Sequence, residues 1–171
     1  MIVRSYTLPV WVIGVCLLFT GCTTAPKLTT MQIRQLTVRQ VEGSYENTYR
    51  ATMTVLQDNG YVIKNTDMDS GLIVGTIDKE ASGGSQFMQA LFSGHVADKG
   101  RVYEASCMVG KLSDSASEVR INIQETTYGE SSAFSGTSKQ KARQIYDPEI
   151  YAALFNAITV EVKRREAINP D

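Results

Sequence analysis

Two stretches in the second half of the chain alternate apolar and polar residues with the period of a strand. In RVYEASCMVGKL, Arg101 to Leu112, the residues Tyr103, Ala105, Cys107 and Val109 take every second position, with Glu104, Ser106 and Met108 between them. In SEVRINIQET, Val119, Ile121 and Ile123 alternate with Arg120, Asn122 and Gln124, the cleanest period-two run in the sequence. Successive strand side chains point to opposite faces, so each run has one apolar and one polar side. The small polar SDSAS, Ser113 to Ser117, predicts the hairpin loop that joins them. Such an antiparallel sheet needs cover on one face only, and the rest of the chain must supply it. Cys107 falls on the covered face, where a thiol behaves as a small hydrophobe.

Helical periodicity appears in two places. In GSYENTYRATMTVLQDNG, Tyr45, Tyr49, Met53 and Leu56 recur at helical spacing with Thr52 beside them, while Glu46, Arg50, Gln57 and Asp58 lie elsewhere on the wheel. Ser44 suits the cap before this helix and Gly60 the left-handed position after it. Near the C-terminus Asp147 caps, Pro148 takes the first turn, where its missing amide costs nothing, and Glu149 complements the helix dipole. Tyr151, Leu154, Phe155, Ile158 and Val162 then repeat on one face, and KRRE, Lys163 to Glu166, reads as helix-end charge on a solvated surface, with a membrane-binding patch as the alternative. Between the helices, YVIKN and GLIVGTID are β-rich runs separated by TDMDS, whose Asp67, Asp69, Ser70 and Gly71 predict a hairpin turn. Asp67 and Asp69 fail as a calcium loop, which needs further oxygen ligands and a closing Glu at fixed spacing. IRQLTVRQVE, Ile33 to Glu42, with Leu36, Val38 and Val41, gives a strand signal, and ARQIY adds a further edge strand. The order predicts an α+β fold: an antiparallel sheet of about five strands with two main helices packed on one face, a two-layer sandwich.

The N-terminus reads differently. After MIVR comes the apolar run Leu8 to Phe19, within the roughly 7 to 15 residues of a secretory core and short of the roughly 20 that span a bilayer. FTGC, ending at Cys22, resembles the lipobox of bacterial lipoproteins. That resemblance implies cleavage between Gly21 and Cys22, a thioether-linked diacylglycerol on Cys22 and an acylated amine. Cys16 competes poorly, because the residue before it is the bulky Val15. Thr23 rather than Asp after the cysteine implies, within the same family, the outer membrane and a domain facing the periplasm. The expected organisation is a signal peptide over residues 1–21, a lipidated tether over 22–32 and one periplasmic domain over 33–171. Cys16 then leaves with the signal and Cys22 is modified, so Cys107 has no disulfide partner. The mature chain would carry 16 basic and 18 acidic side chains, a near-neutral balance with no footprint for nucleic acid.

The remaining segments carry little chemistry. Phe87, Met88, Leu91 and Phe92 share one side of a short helix, and two readings stay open: they fold back on the core, or they present an apolar patch to a protein partner or the lipid surface. His95 is the single histidine and has no second ligand or nucleophile at a useful spacing, so no metal is assigned. Tyr128 to Gln140 is a Gly- and Ser-rich loop with neither a phosphate-loop nor a nucleophile-elbow pattern. No catalytic residue and no cofactor are assigned; Asp67 with Asp69 is the least poor acid/base pair.

LQDNGYVIKNTDMDSGLIVGT, Leu56 to Thr76, together with YDPEIYAALFNAI, Tyr146 to Ile158, resembles a group of small proteobacterial outer-membrane lipoproteins of unknown function. The arrangement is also similar in architecture to the helix-grip domains of a lipoprotein component of the outer-membrane β-barrel assembly machine. The expected function is that of a non-enzymatic, lipid-anchored module that binds a protein partner or helps assemble an envelope complex. The alternative is a domain for a small apolar or lipid ligand held between helix and sheet, with Tyr45, Tyr49, Tyr103 and Phe155 lining the cavity.

Overall fold

A computed structural model describes residues 28–78, 101–128 and 140–168. In chain order the elements are α1 (Thr30–Thr37), β1 (Val38–Glu42), α2 (Tyr45–Asp58), β2 (Val62–Asp67), β3 (Leu72–Asp78), β4 (Arg101–Lys111), β5 (Ala116–Tyr128), β6 (Gln140–Ile145) and α3 (Pro148–Ile168). All strand pairings are antiparallel. The fold is the α+β sandwich expected, with α2 and α3 packed together on the inner face of the sheet.

The two long alternating runs form the centre. β4 and β5 pair over their full length, from Arg101 opposite Thr127 to Lys111 opposite Ser117. Tyr103, Ala105, Cys107, Val109, Val119, Ile121 and Ile123 are all buried on the inner face. β3 and then the edge strand β2 extend the sheet on one side. On the other side β5 is long enough to hold two short strands end to end. β1 pairs with Ala116–Arg120 and β6 with Ile123–Tyr128. Among the described residues the sheet therefore has six strands in five positions. At the junction the Tyr151 hydroxyl accepts the Ile123 N–H at 3.3 Å and donates to the Ile145 carbonyl at 3.0 Å, so a side chain of α3 closes the ladder where β6 ends.

One expectation is corrected at the first strand. Ile33–Glu42 is not extended throughout: α1 runs to Thr37 and the strand begins at Val38. A reciprocal cap starts this helix, with the Thr29 side chain accepting the Gln32 N–H and the Gln32 side chain accepting the Thr29 N–H. Helix formation thus begins at Thr30, within the stretch assigned to the tether.

The inner face of α2 is also rotated from the expected one. Thr48, Tyr49, Ala51, Thr52, Val55 and Leu56 are buried, whereas Tyr45 and Met53 are only half-buried. The ends of α2 behave as the sequence indicates. Ser44 accepts the Asn47 N–H, Gly60 has φ +86°, and the Tyr61 N–H returns to the Leu56 carbonyl at 3.0 Å. α3 is capped by Asp147, which accepts the Glu149 N–H at 2.9 Å. It buries Ile150, Tyr151, Leu154, Phe155, Ile158 and Val162, and full burial of a side chain such as Leu or Ile contributes about 1.5–3 kcal/mol. The basic run at its end is spent locally: Arg164 and Arg165 both pair with Glu161, and Arg165 reaches Thr54 of α2 at 2.8 Å.

The core contains several hydroxyl-bearing rings. Tyr61, Tyr103 and Tyr151 lie buried around Cys107. Burial pushes the Cys107 thiol and the Tyr151 phenol up to about 12 and raises Tyr61 and Tyr103, the last helped by the charge of Glu125. These groups lose protons from the unfolded chain first, near 9.0 for the thiol and 10.0 for the phenols. The stabilisation from keeping them neutral is present below that range and is lost as pH rises towards about 12. An alkaline titration followed by phenolate absorbance and circular dichroism is expected to show a late phase of phenolate formation, from the buried tyrosines, that coincides with loss of the fold. Ionisation of every tyrosine in an intact fold would contradict it.

Candidate functional site

Glu125 continues the alternation of β5 by one more step, which puts a carboxylate on the inner, apolar face. It is 4% exposed. Three inner-face neighbours engage it. Tyr103 stands directly opposite on β4 and donates to Oε1 at 3.4 Å. Arg101, two residues earlier on the same strand and face, donates to Oε1 at 2.9 Å. Arg143 stands opposite on β6 and holds Oε2 through Nε at 3.1 Å and an Nη at 2.5 Å. Tyr103, Glu125 and Arg143 thus form one row across three strands. A carboxylate buried at this depth persists as an ion only when paired and hydrogen-bonded on both oxygens, and this row supplies both conditions.

The cluster borders a cleft of about 350 Å³ beneath the start of α3, where Tyr146, Asp147 and Ile150 complete the lining with Arg143, Tyr103 and Glu125. β3 ends and β4 begins at this end of the sheet, as do β5 and β6. Chemically the arrangement is an electrostatic clamp. Both oxygens of Glu125 are committed to cations, which suits it to holding strands together and to shaping the cleft mouth rather than to shuttling a proton.

The residues singled out in the sequence are dispersed by the fold. Gly21 and Cys22 lie outside the described residues, as do Phe87, Met88, Leu91, Phe92 and His95. Asp67 forms the turn that its spacing indicates: Oδ1 accepts the Asp69 N–H at 3.0 Å and Oδ2 the Ser70 hydroxyl at 2.7 Å. These bonds hold its carboxyl below the usual range, the Ser70 hydroxyl contributing most. Asp69 enters this turn through its backbone and makes no acid/base pair with Asp67. Of the four aromatic residues proposed to line a cavity, Tyr103 alone borders the cleft described above. Tyr45 and Tyr49 project from α2 and donate to the carbonyls of Met68 and Leu72, anchoring the β2–β3 hairpin. Phe155 is buried with the Arg39 guanidinium 5.3 Å above its ring. Among the described residues no three His, Cys, Asp or Glu side chains converge as metal ligands. No described helix is long and apolar enough to cross a membrane.

The Glu125 cluster was not visible as a motif, because its four members come from three strands. One signal was present. A glutamate in register with Val119, Ile121 and Ile123 must be buried, and a buried glutamate demands a cationic partner.

No family model matches the chain, and no curated protein shows significant similarity to it. Among solved structures, the chain is similar to the adenylate sensor from AMP-activated protein kinase, in complex with ZMP. The alignment covers 70% of this chain and 93% of that one, with 11% identity and a TM-score of 0.40. Nothing about fold or function follows from a likeness at that level.

Proposed function

We propose that the protein is a lipid-anchored lipoprotein of the outer membrane whose periplasmic domain serves as a non-enzymatic interaction module in an envelope complex. The observation that carries this reading is FTGC closing an apolar export segment, followed within a few residues by an ordered domain that is capped at Thr29. Lipidation at Cys22 supplies two or three acyl chains, and one chain alone holds only marginally. The domain would therefore work within a short tether of the membrane, where protein partners are confined to the same surface. Cross-linking in the native envelope, followed by purification through this chain, is expected to recover a defined protein partner. Recovery of nothing above the background of a Cys22→Ser control would count against the module.

A second reading, a small apolar or lipid ligand, is favoured by one observation. The cleft beside Tyr103 and Ile150 reaches the lower end of the roughly 300–1,000 Å³ typical of small-molecule sites. Mass spectrometry of protein purified under mild conditions would detect a co-purifying ligand.

A further inference from the structure

α1 has apolar residues on two sides. Ile33, Leu36 and Thr37 turn inward, where Leu36 packs against the core and the Thr37 hydroxyl bonds back to the Ile33 carbonyl. Met31 faces outward and is 66% exposed, and Leu28, just before the cap, is 43% exposed. Leu28 and Leu36 also line a groove of about 320 Å³ with Gln32, Gln35, Tyr146 and Pro148, in the seam between α1 and the start of α3. From Leu28 to Val41 the chain contains Arg34 and Arg39 and no acidic residue. Arg34, one turn from Met31, is exposed. Within residues 28–41 a strip of exposed apolar side chains adjoins a cation and no carboxylate, the composition of an interfacial surface; the acids near the groove, Asp147 and Glu149, flank Pro148 on the α3 side.

Chain length supplies the occupant. A residue spans at most about 3.3–3.6 Å, so Leu28 lies no more than about 20 Å from the Cys22 backbone. If Cys22 carries lipid, the anchor holds this strip at the bilayer surface. We propose that Leu28, Met31 and Arg34, with the groove beside them, form the face on which the domain rests against an anionic lipid bilayer. The inference rests on the lipid-anchor reading above. Met31 enters the interfacial region, Arg34 meets lipid phosphates, and the domain thereby takes one orientation instead of swinging on its tether.

The sequence provides a clean test, because its single tryptophan, Trp11, lies within the signal segment. Full-length protein is expressed as Met31→Trp and, separately, as Val160→Trp, a position on α3 that is 68% exposed. Each is reconstituted into phosphatidylethanolamine–phosphatidylglycerol vesicles with brominated acyl chains. Flotation and intact mass establish anchoring at Cys22 independently of the fluorescence. The expected result is blue-shifted emission from position 31, quenched to about half its intensity, with position 160 unaffected. Adding Arg34→Glu should relieve the quenching. Floating, lipid-modified protein whose two tryptophans respond alike overturns the proposed face while leaving the anchor intact. Protein that neither floats nor carries lipid overturns the anchor reading and this inference with it.

Discussion

Glu125→Gln is expected to lower the unfolding free energy by about 3 kcal/mol, the order found when one partner of a buried ion pair is removed. The amide is nearly isosteric, so packing is retained and the loss is electrostatic. The carboxylate is 4% exposed and receives Arg101 and Arg143 on separate oxygens; the amide keeps one acceptor and places a donor where a guanidinium already donates. Removing the exposed end of the cluster should matter less. Arg143→Ala strips Oε2 of its partner, but the Arg143 side chain is 58% exposed and its removal opens that oxygen to water, so the expected cost is about 1–2 kcal/mol, below that of Glu125→Gln. The Arg101 side chain is 14% exposed, so its loss should fall between the two. Urea unfolding of the detergent-solubilised variants, followed by circular dichroism, measures all three. Losses of no more than about 0.5 kcal/mol in both Glu125→Gln and Arg143→Ala would mean that the cluster is surface decoration.

Gly71→Ala should be comparably damaging, at about 3 kcal/mol, for a steric reason. Gly71 ends the β2–β3 turn with φ +77°, a conformation that side chains disfavour by about 1–2 kcal/mol. A β-carbon there would stand 2.0 Å from the Val109 carbonyl oxygen, and main chain in the middle of a sheet cannot step aside cheaply. The same contact carries a bond worth keeping: the Val109 N–H donates to the Gly71 carbonyl at 2.9 Å. Gly110, one residue further along β4, is the control. Nothing lies within 4 Å of a β-carbon built on it, so Gly110→Ala is expected to change stability by no more than about 0.5 kcal/mol.

The two glycines show how unevenly structure was written into the sequence. Gly71 sits in DMDSG, where turn chemistry announced it. The long strands and α3 were equally plain, because period two and a capped, periodic apolar face are local signals. α1 was missed because a short segment with few apolar residues offers little periodicity, although Thr29 and Gln32 at capping-box spacing were there to be read. In α2 three of the six buried side chains are small and weakly apolar or polar: Thr48, Ala51 and Thr52. Hydrophobicity alone pointed to Tyr45 and Met53, which pack at the margin of the core, while the shared surface with α3 and the sheet takes the smaller residues. The splitting of one sheet edge between β1 and β6 depends on the length of β5 and on Tyr151, which no local pattern encodes.

The edge strand β2 illustrates a different limit. Its residues are mostly exposed, and its ladder to β3 is irregular between Ile63 and Asn65, where Lys64 is the extra residue. A bulge and a lysine on a free edge discourage further strand pairing. That makes β2 an unfavourable docking edge and turns attention to the Glu125 end of the sheet and to the α1 surface.

The central claim concerns Cys22, and intact-mass analysis of the protein extracted from membranes tests it most directly. The expected result is a chain beginning at Cys22, heavier than its unmodified sequence by a diacylglyceryl group and an amide-linked acyl chain, and absent when Cys22 is replaced by Ser. A membrane-extracted chain that retains Trp11, or that begins beyond residue 22 without lipid, would contradict it.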